Sequence, residues 1–351
     1  MKQRIKNLDT FRAIAALVVL VGHIEWFRWQ LLGSDMFSKV PSGHTAVMMF
    51  FVISGFLITF LLVIEKEKYE TISLKDFYLR RILRIWPVYY LVLFISFFFY
   101  EQTPSIGTIT FNVAMIPNIG RLFDGRWATS PQIWSIGVEN MFYVLFPLIL
   151  LFVPKKRILL LLMILTAGLT ILPHVIDYIN VRTLRNESLS LLNNRFFYLN
   201  RFDSLFIGCI IGFAFAENHT ILKILYNKWL FFVCSAIAVV MWGGHIEAKY
   251  FNDEIMSVLF AVVILNVCTN PNMNIRFENR LTQFLGKISY GIYMYHWIVL
   301  LLAFRLLPLT NTVGSIVLLY GFTSVVTIAV AWLSYETYEK FFLNLKKKFE
   351  R

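Results

Sequence analysis

An all-α polytopic membrane protein is the fold class that this sequence predicts, and three observations predict it. Of 351 residues, 58% are hydrophobic and only 15% are charged, against about 25% charged in soluble domains. Apolar runs long enough to cross a hydrocarbon core of about 30 Å recur along the whole chain. Lysine and arginine concentrate on alternate connections between those runs, as the positive-inside rule requires. The mean hydropathy of +0.65 and the 34 Phe, 16 Tyr and 9 Trp fit lipid-facing surface with interfacial aromatic belts.

About ten transmembrane helices are expected, at approximately 8–32, 44–64, 85–101, 133–153, 158–174, 202–217, 228–245, 254–269, 285–307 and 313–338. The first follows Lys2, Arg4 and Lys6 and has the outline of a secretory signal. It is too long for one and lacks a clear small-x-small cleavage site, so a retained helix is expected. The stretch 105–119 is moderately apolar but interrupted by Gly107 and Pro117, which predicts a surface or re-entrant segment. With the N-terminus inside, 22 of the 33 lysines and arginines fall on cytoplasmic connections and ten on outer ones. Both termini are therefore expected in the cytoplasm. The net charge of +12 reads as a topology signal, and nucleic acid is not an expected partner.

The longest connections, 102–132 and 175–201, are too short for an additional folded domain, and no internal repeat is visible. Residues 1–351 read as a single membrane-embedded domain, and the missing repeat weakens a transporter reading. Cys209, Cys234 and Cys268 all lie in apolar segments without paired spacing. Free thiols are expected, with no disulfide framework and no metal site.

Within this apolar background the ionisable residues carry the functional signal, because each is costly in a membrane. Arg12 and His23 lie eleven residues apart on the first segment. Eleven steps of about 100° overshoot three turns by about 20°, so both share one face, roughly 16 Å apart along the axis. Each has a plain alternative: snorkelling to the surface for Arg12, helix packing for His23. Arg81 and Arg84, before the third span, are i,i+3 neighbours if helical and would form a two-armed anion site. Headgroup anchoring is the competing reading for either arginine alone.

Ser135, Glu139 and Tyr143 follow i, i+4, i+8 and predict a polar stripe on the fourth span. A carboxylate there needs a proton, a cation or hydrogen bonds, and Arg201 is one candidate partner. Arg201 and Asp203 also read as a self-compensating pair. Ser289, Tyr293 and His296 at i, i+4, i+7 predict a polar face on the ninth span, although His296 alone reads equally as a packing residue.

Taken in order, these motifs resemble the acyltransferase 3 family of integral-membrane acyltransferases. They are Leu8-Asp9 through Arg12 to His23, Phe50 to Ile58, Arg80/Arg81/Arg84, Trp134 to Tyr143, Arg201-Phe202-Asp203, and Ile288-Ser289-Tyr290 to His296. The resemblance covers most of the chain. It implies transfer of an acyl group, commonly acetyl, from cytoplasmic acetyl-CoA or another acyl-CoA. The implied acceptor is a hydroxyl of a surface polysaccharide or lipid-linked glycan, such as O-antigen or exopolysaccharide. It also implies residence among the lipids of a bacterial inner (plasma) membrane. Many relatives carry a secreted SGNH-type domain, and this chain looks like the stand-alone form. Three positions depart from the family pattern: Ala13 for a common glycine, Asn140 for a second glutamate, and Met48 where a polar residue is frequent.

On this resemblance Arg12, Arg81 and Arg84 are the expected coenzyme A-binding residues, and His23 and Glu139 the expected catalytic ones. The co-substrate is acyl-CoA, with no permanently bound cofactor expected. His23 would act as general base toward the acceptor hydroxyl, or as a covalent acyl relay. Glu139 would orient the acceptor or His23. A transporter or flippase for an acyl or glycan substrate is the competing class.

Overall fold

The computed structural model describes residues 5–33, 40–99, 104–123, 127–310 and 312–350. Lys2, Arg4, Lys39, Arg126 and Arg351, which enter the charge count above, lie outside the described residues. Helices are the regular secondary structure of the chain, with no strand among the described residues.

Three long helices open the fold: α1 (Leu8–Leu32), α2 (Gly43–Tyr69) and α3 (Leu74–Phe99). Two short ones follow, α4 (Ile106–Val113) and α5 (Pro117–Gly120), where the sequence predicts a surface or re-entrant segment. Then come α6 (Trp134–Phe152), α7 (Lys155–Ile179), α8 (Glu187–Asn193), α9 (Phe202–Ala216), α10 (Leu222–Leu225), α11 (Lys228–Gly244) and α12 (Asn252–Thr269). The chain closes with α13 (Arg280–Lys287), α14 (Ser289–Leu306), α15 (Val313–Ser334) and α16 (Lys340–Lys346).

Every one of the ten expected apolar segments contains a helix, but their capacity to cross a bilayer differs. Eight helical stretches are long and apolar enough, and a ninth is the pair α13–α14 taken together, bent by 67°. The tenth, α11, has 17 residues, about 26 Å at 1.5 Å per residue, a little short of a full crossing. The chain is thus a multi-pass membrane protein with eight or nine full-length candidate spans among the described residues. The helix expected at 85–101 begins at Leu74 instead. Its first turns carry Lys75, Asp76, Arg80, Arg81 and Arg84, so they drop out of an apolar window while remaining helical.

The tightest packing joins α2 to α9. A Cβ on Gly55 would lie 2.0 Å from the Leu205 carbonyl oxygen, and one on Gly208 2.2 Å from that of Val52. Gly208 and Gly212 stand four apart, the small-xxx-small spacing that lets membrane helices meet backbone to backbone. One face of α2 is spent on this contact, and the adjacent face, with Phe51, Ser54 and Ile58, is left to line a cavity.

The two ends of the chain meet. Asp9 and Arg12 of α1 border the same vestibule as Lys346, Lys347 and Glu350, and Arg80 donates to the Phe349 carbonyl at 2.7 Å.

Candidate active site

Four of the five residues singled out in the sequence converge on one cavity. Arg12 reaches it from α1, Arg81 and Arg84 from α3, and Glu139 from α6. Ser135 and Tyr143 line it beside Glu139, so the predicted i, i+4, i+8 stripe faces this space as a unit. Ser289 and Tyr293 line it from α14.

Glu139 is held from two sides. Ser54 donates to one carboxylate oxygen at 2.5 Å and Tyr143 to the other at 3.0 Å. Neither His23 nor Arg201 is its partner among these bonds. Asn140, where the family commonly has a second carboxylate, turns away and donates to the Met115 carbonyl at 3.3 Å. It anchors the α4–α5 segment instead of contributing to the cavity.

The arginines sort themselves by partner. Arg80 forms an ion pair with Glu65 at 2.9 Å in addition to its bond to Phe349, so it ties α3 to α2 and to the C-terminal segment. Arg81 and Arg84 form no ion pair among the described residues. The Arg81 guanidinium lies over the rings of Phe77 and Tyr143, each 5.6 Å away, and its Nε is buried without a hydrogen-bond partner. Arg12 is 3.7 Å from Asp9. Three guanidinium groups therefore share a cavity that holds one carboxylate. Arginine forks suit phosphate and pyrophosphate oxygens, and a buried donor without a partner favours an arriving anion.

Arg12, Arg84 and Tyr290 also border the vestibule at the α1 N-terminal end, together with Arg280, Lys287, Lys346 and Lys347. The cavity and this basic mouth thus adjoin across Arg12, Arg84 and Tyr290. Sequence reading did not single out Arg280, Lys346, Lys347 or Ser54. The lysines and Arg280 looked like ordinary loop charges, and Ser54 like a tolerated hydroxyl in an apolar run.

His23 is not among the cavity-lining residues. It lies three turns beyond Arg12 on α1, against His296, which stands one turn beyond the cavity-lining Tyr293 on α14. The His23 Nδ1 and His296 Nε2 atoms are 2.8 Å apart, and the rings are nearly parallel, inclined by 9°. Trp297 meets the His23 ring edge-on at 5.1 Å. The same tryptophan packs on Trp26 and Phe27, so the imidazole sits in an aromatic surround. The predicted polar face of α14 is present, but it serves two places: Ser289 and Tyr293 face the cavity, whereas His296 holds His23.

Arg201, a candidate partner for Glu139, is instead surrounded by Asp203 at 3.2 Å, Asp253 at 3.4 Å and Glu254 at 2.7 Å. The expected Arg201–Asp203 pair is present, enlarged by two carboxylates of α12. Met48 is fully buried and accepts from Ser204 at 3.3 Å, so its sulfur sits in helix packing.

A family model described as an acyltransferase domain matches residues 5–336. The chain belongs to this acyltransferase family. The match includes every cavity arginine, Glu139, His23 and His296, whereas Lys346 and Lys347 of the vestibule lie beyond it. Among similar proteins, the peptidoglycan O-acetyltransferase OatA of Listeria monocytogenes is 24% identical, over 88% of this chain and 51% of its own length. The O-acetyltransferase OatA of Staphylococcus aureus is 27% identical over 83% of this chain and 50% of its own. The putative peptidoglycan O-acetyltransferase YrhL of Bacillus subtilis is 26% identical over 96% and 54%. The chain spans about half the length of these curated relatives. No solved structure matches it.

Proposed function

We propose that this chain transfers an acetyl group from acetyl-CoA to a hydroxyl of peptidoglycan or a related surface glycan, in a bacterial plasma membrane. The observation that carries this reading is the cavity with three guanidinium groups and one carboxylate, adjoining a basic vestibule across Arg12, Arg84 and Tyr290. Phosphates of coenzyme A match Arg12, Arg81 and Arg84 in charge and geometry. The acyl arm then extends along the α1–α14 face toward His23. With the N-terminal end of α1 in the cytoplasm, the donor enters from the cytoplasm and the acceptor meets His23 from the opposite side. The relatives' names make peptidoglycan, before O-antigen or exopolysaccharide, the first acceptor to test.

In the reaction the acceptor hydroxyl gives its proton to His23 as its oxygen bonds to the thioester carbonyl carbon. The C–S bond then breaks, and the departing coenzyme A thiolate takes the proton from the imidazolium. The products are an ester and free thiol. In a two-step form the same imidazole nitrogen attacks the thioester first and passes the acyl group on. Glu139 balances part of the arginine charge and holds Ser54 and Tyr143 in place along the route.

The test is the chain reconstituted in vesicles with acetyl-labelled acetyl-CoA and peptidoglycan fragments. Label is expected on the glycan with the native chain and is expected to be lost with His23→Ala, at unchanged membrane insertion. Full transfer by His23→Ala, or glycan crossing the vesicle wall unlabelled, overturns the reading in favour of a different base or of transport.

A further inference from the structure

The hydrogen bonds around His23 form a chain that runs in one direction. His296 Nδ1 lies 2.7 Å from the Tyr293 carbonyl oxygen. A carbonyl oxygen only accepts, so this nitrogen carries the hydrogen. His296 is 1% exposed, and no carboxylate pairs with it or with His23 among the described residues. A buried imidazole without a counter-charge is held neutral, so its remaining nitrogen, Nε2, has a lone pair and no hydrogen. That lone pair faces His23 Nδ1 at 2.8 Å. His23 Nδ1 must therefore be the donor, and in a neutral ring the second nitrogen, Nε2, is then an unprotonated base.

The position of that nitrogen completes the observation. Among the described residues no hydrogen bond reaches His23 Nε2, and the His23 side chain is only half-buried. The nitrogen is left without a partner from the chain itself. The near-parallel His296 ring and the edge of Trp297 fix the plane in which it is presented.

We propose that His296 is a positioning residue: through the Tyr293 carbonyl it locks His23 in the Nδ1–H tautomer and aims the Nε2 lone pair at the incoming substrate. This rests on the acyl-transfer reading above and supplies what that reading leaves open, the reason His23 is a base at one defined nitrogen. The arrangement has the logic of an orienting acceptor behind a catalytic imidazole. A backbone carbonyl acting through a second imidazole takes the place usually filled by a carboxylate, so no charge has to be buried. His296 itself is not among the cavity-lining residues. It acts only through His23.

The test uses the full chain in detergent micelles, with ¹⁵N-labelled histidine and two variants. His296→Gln places an amide oxygen where Nε2 was and keeps an acceptor for His23, whereas His296→Leu removes it. The His23 signals are identified by their loss in His23→Gln. In the native chain His23 is expected to show a protonated Nδ1 and an unprotonated Nε2. His296→Gln is expected to keep that pattern, and His296→Leu to mix the two tautomers. Acetyl transfer is expected to fall about 10- to 100-fold in His296→Leu, as for other outer-shell orienting partners. It should recover most of the native rate in His296→Gln, with acetyl-CoA affinity unchanged in both.

A native spectrum with Nε2 protonated overturns the proposal, and this readout does not require either His296 variant to fold. Equal rates in native and His296→Leu chains also overturn it. Full transfer by His23→Ala is a different failure, that of the acyl-transfer reading, and leaves the tautomer measurement standing as structure alone.

Discussion

Two charged clusters are embedded in this apolar bundle, and they are inverse in composition. At one, Arg201, 6% exposed, is surrounded by Asp203, Asp253 and Glu254, and Asp253 has a further contact with His44 at 3.2 Å. One guanidinium faces three carboxylates there, all contributed by the chain itself. At the other, Arg12, Arg81 and Arg84 share a cavity with Glu139, which is occupied by Ser54 and Tyr143, and Arg12 has a further carboxylate near it, Asp9 at 3.7 Å. Both clusters carry the desolvation cost of charge in an apolar setting. The first recovers it within the fold by joining α9 to α12. The second leaves Arg81 and Arg84 without an ion pair among the described residues, a surplus that suits the anion proposed above. Charge balance thus separates scaffold from candidate binding site more clearly than burial does.

That contrast can be broken by experiment, and the largest effect is expected at the compensated cluster. Arg201→Met strands three carboxylates, and removing one member of a buried ionic group costs about 3–5 kcal/mol. Thermal unfolding of the detergent-solubilised protein should show a clear loss of stability, and an unchanged midpoint would remove the scaffold role. At the uncompensated cluster, Arg81→Ala with Arg84→Ala is expected to leave the unfolding midpoint level or raised. Acetyl-CoA affinity should fall by at least about tenfold, from the loss of hydrogen bonds of about 1.5–3 kcal/mol each to a charged group. Calorimetric titration measures this, and native affinity in the double variant would return both arginines to headgroup anchoring. The smallest effect on acetyl-CoA affinity belongs to Arg80, adjacent to Arg81 but paired with Glu65. Arg80→Ala leaves the largely buried Glu65 carboxylate without its partner, so it should lower the unfolding midpoint while leaving acetyl-CoA affinity unchanged. A large affinity loss there would erase the distinction between paired and unpaired arginines on α3.

Much of this arrangement was legible in the sequence because it is local. The Ser135, Glu139, Tyr143 stripe and the Arg81/Arg84 pair follow from helical spacing alone, although spacing did not place both on one cavity. Spacing also placed Arg12 and His23 on one face of α1, yet it could not show that the cavity ends before reaching His23. What stayed hidden is long-range. His23 and His296 are 273 residues apart, and an isolated histidine in an aromatic run reads equally well as packing. The α9–α12 carboxylate cluster depends on how two helices lie together, which neither helix encodes by its own periodicity. The Lys346 and Lys347 contribution to the vestibule depends on the C-terminal segment folding back beside α1. The break at Ile288 falls inside the segment expected at 285–307, where Gly286, Lys287 and Ser289 interrupt the apolar run.

The glycine contact between α2 and α9 has a consequence for protein engineering. With Gly55, Gly208 and Gly212 placing two backbones against each other, no side chain lies between them to be repacked. A library aimed at longer acyl donors would lose its folded members at these three positions first. The cavity face of the same helix, at Leu57 and Ile58, is free of that constraint. Variation there reshapes the cavity while the rear of α2 keeps its seat, so one helix offers both a fixed reference surface and an adjustable one.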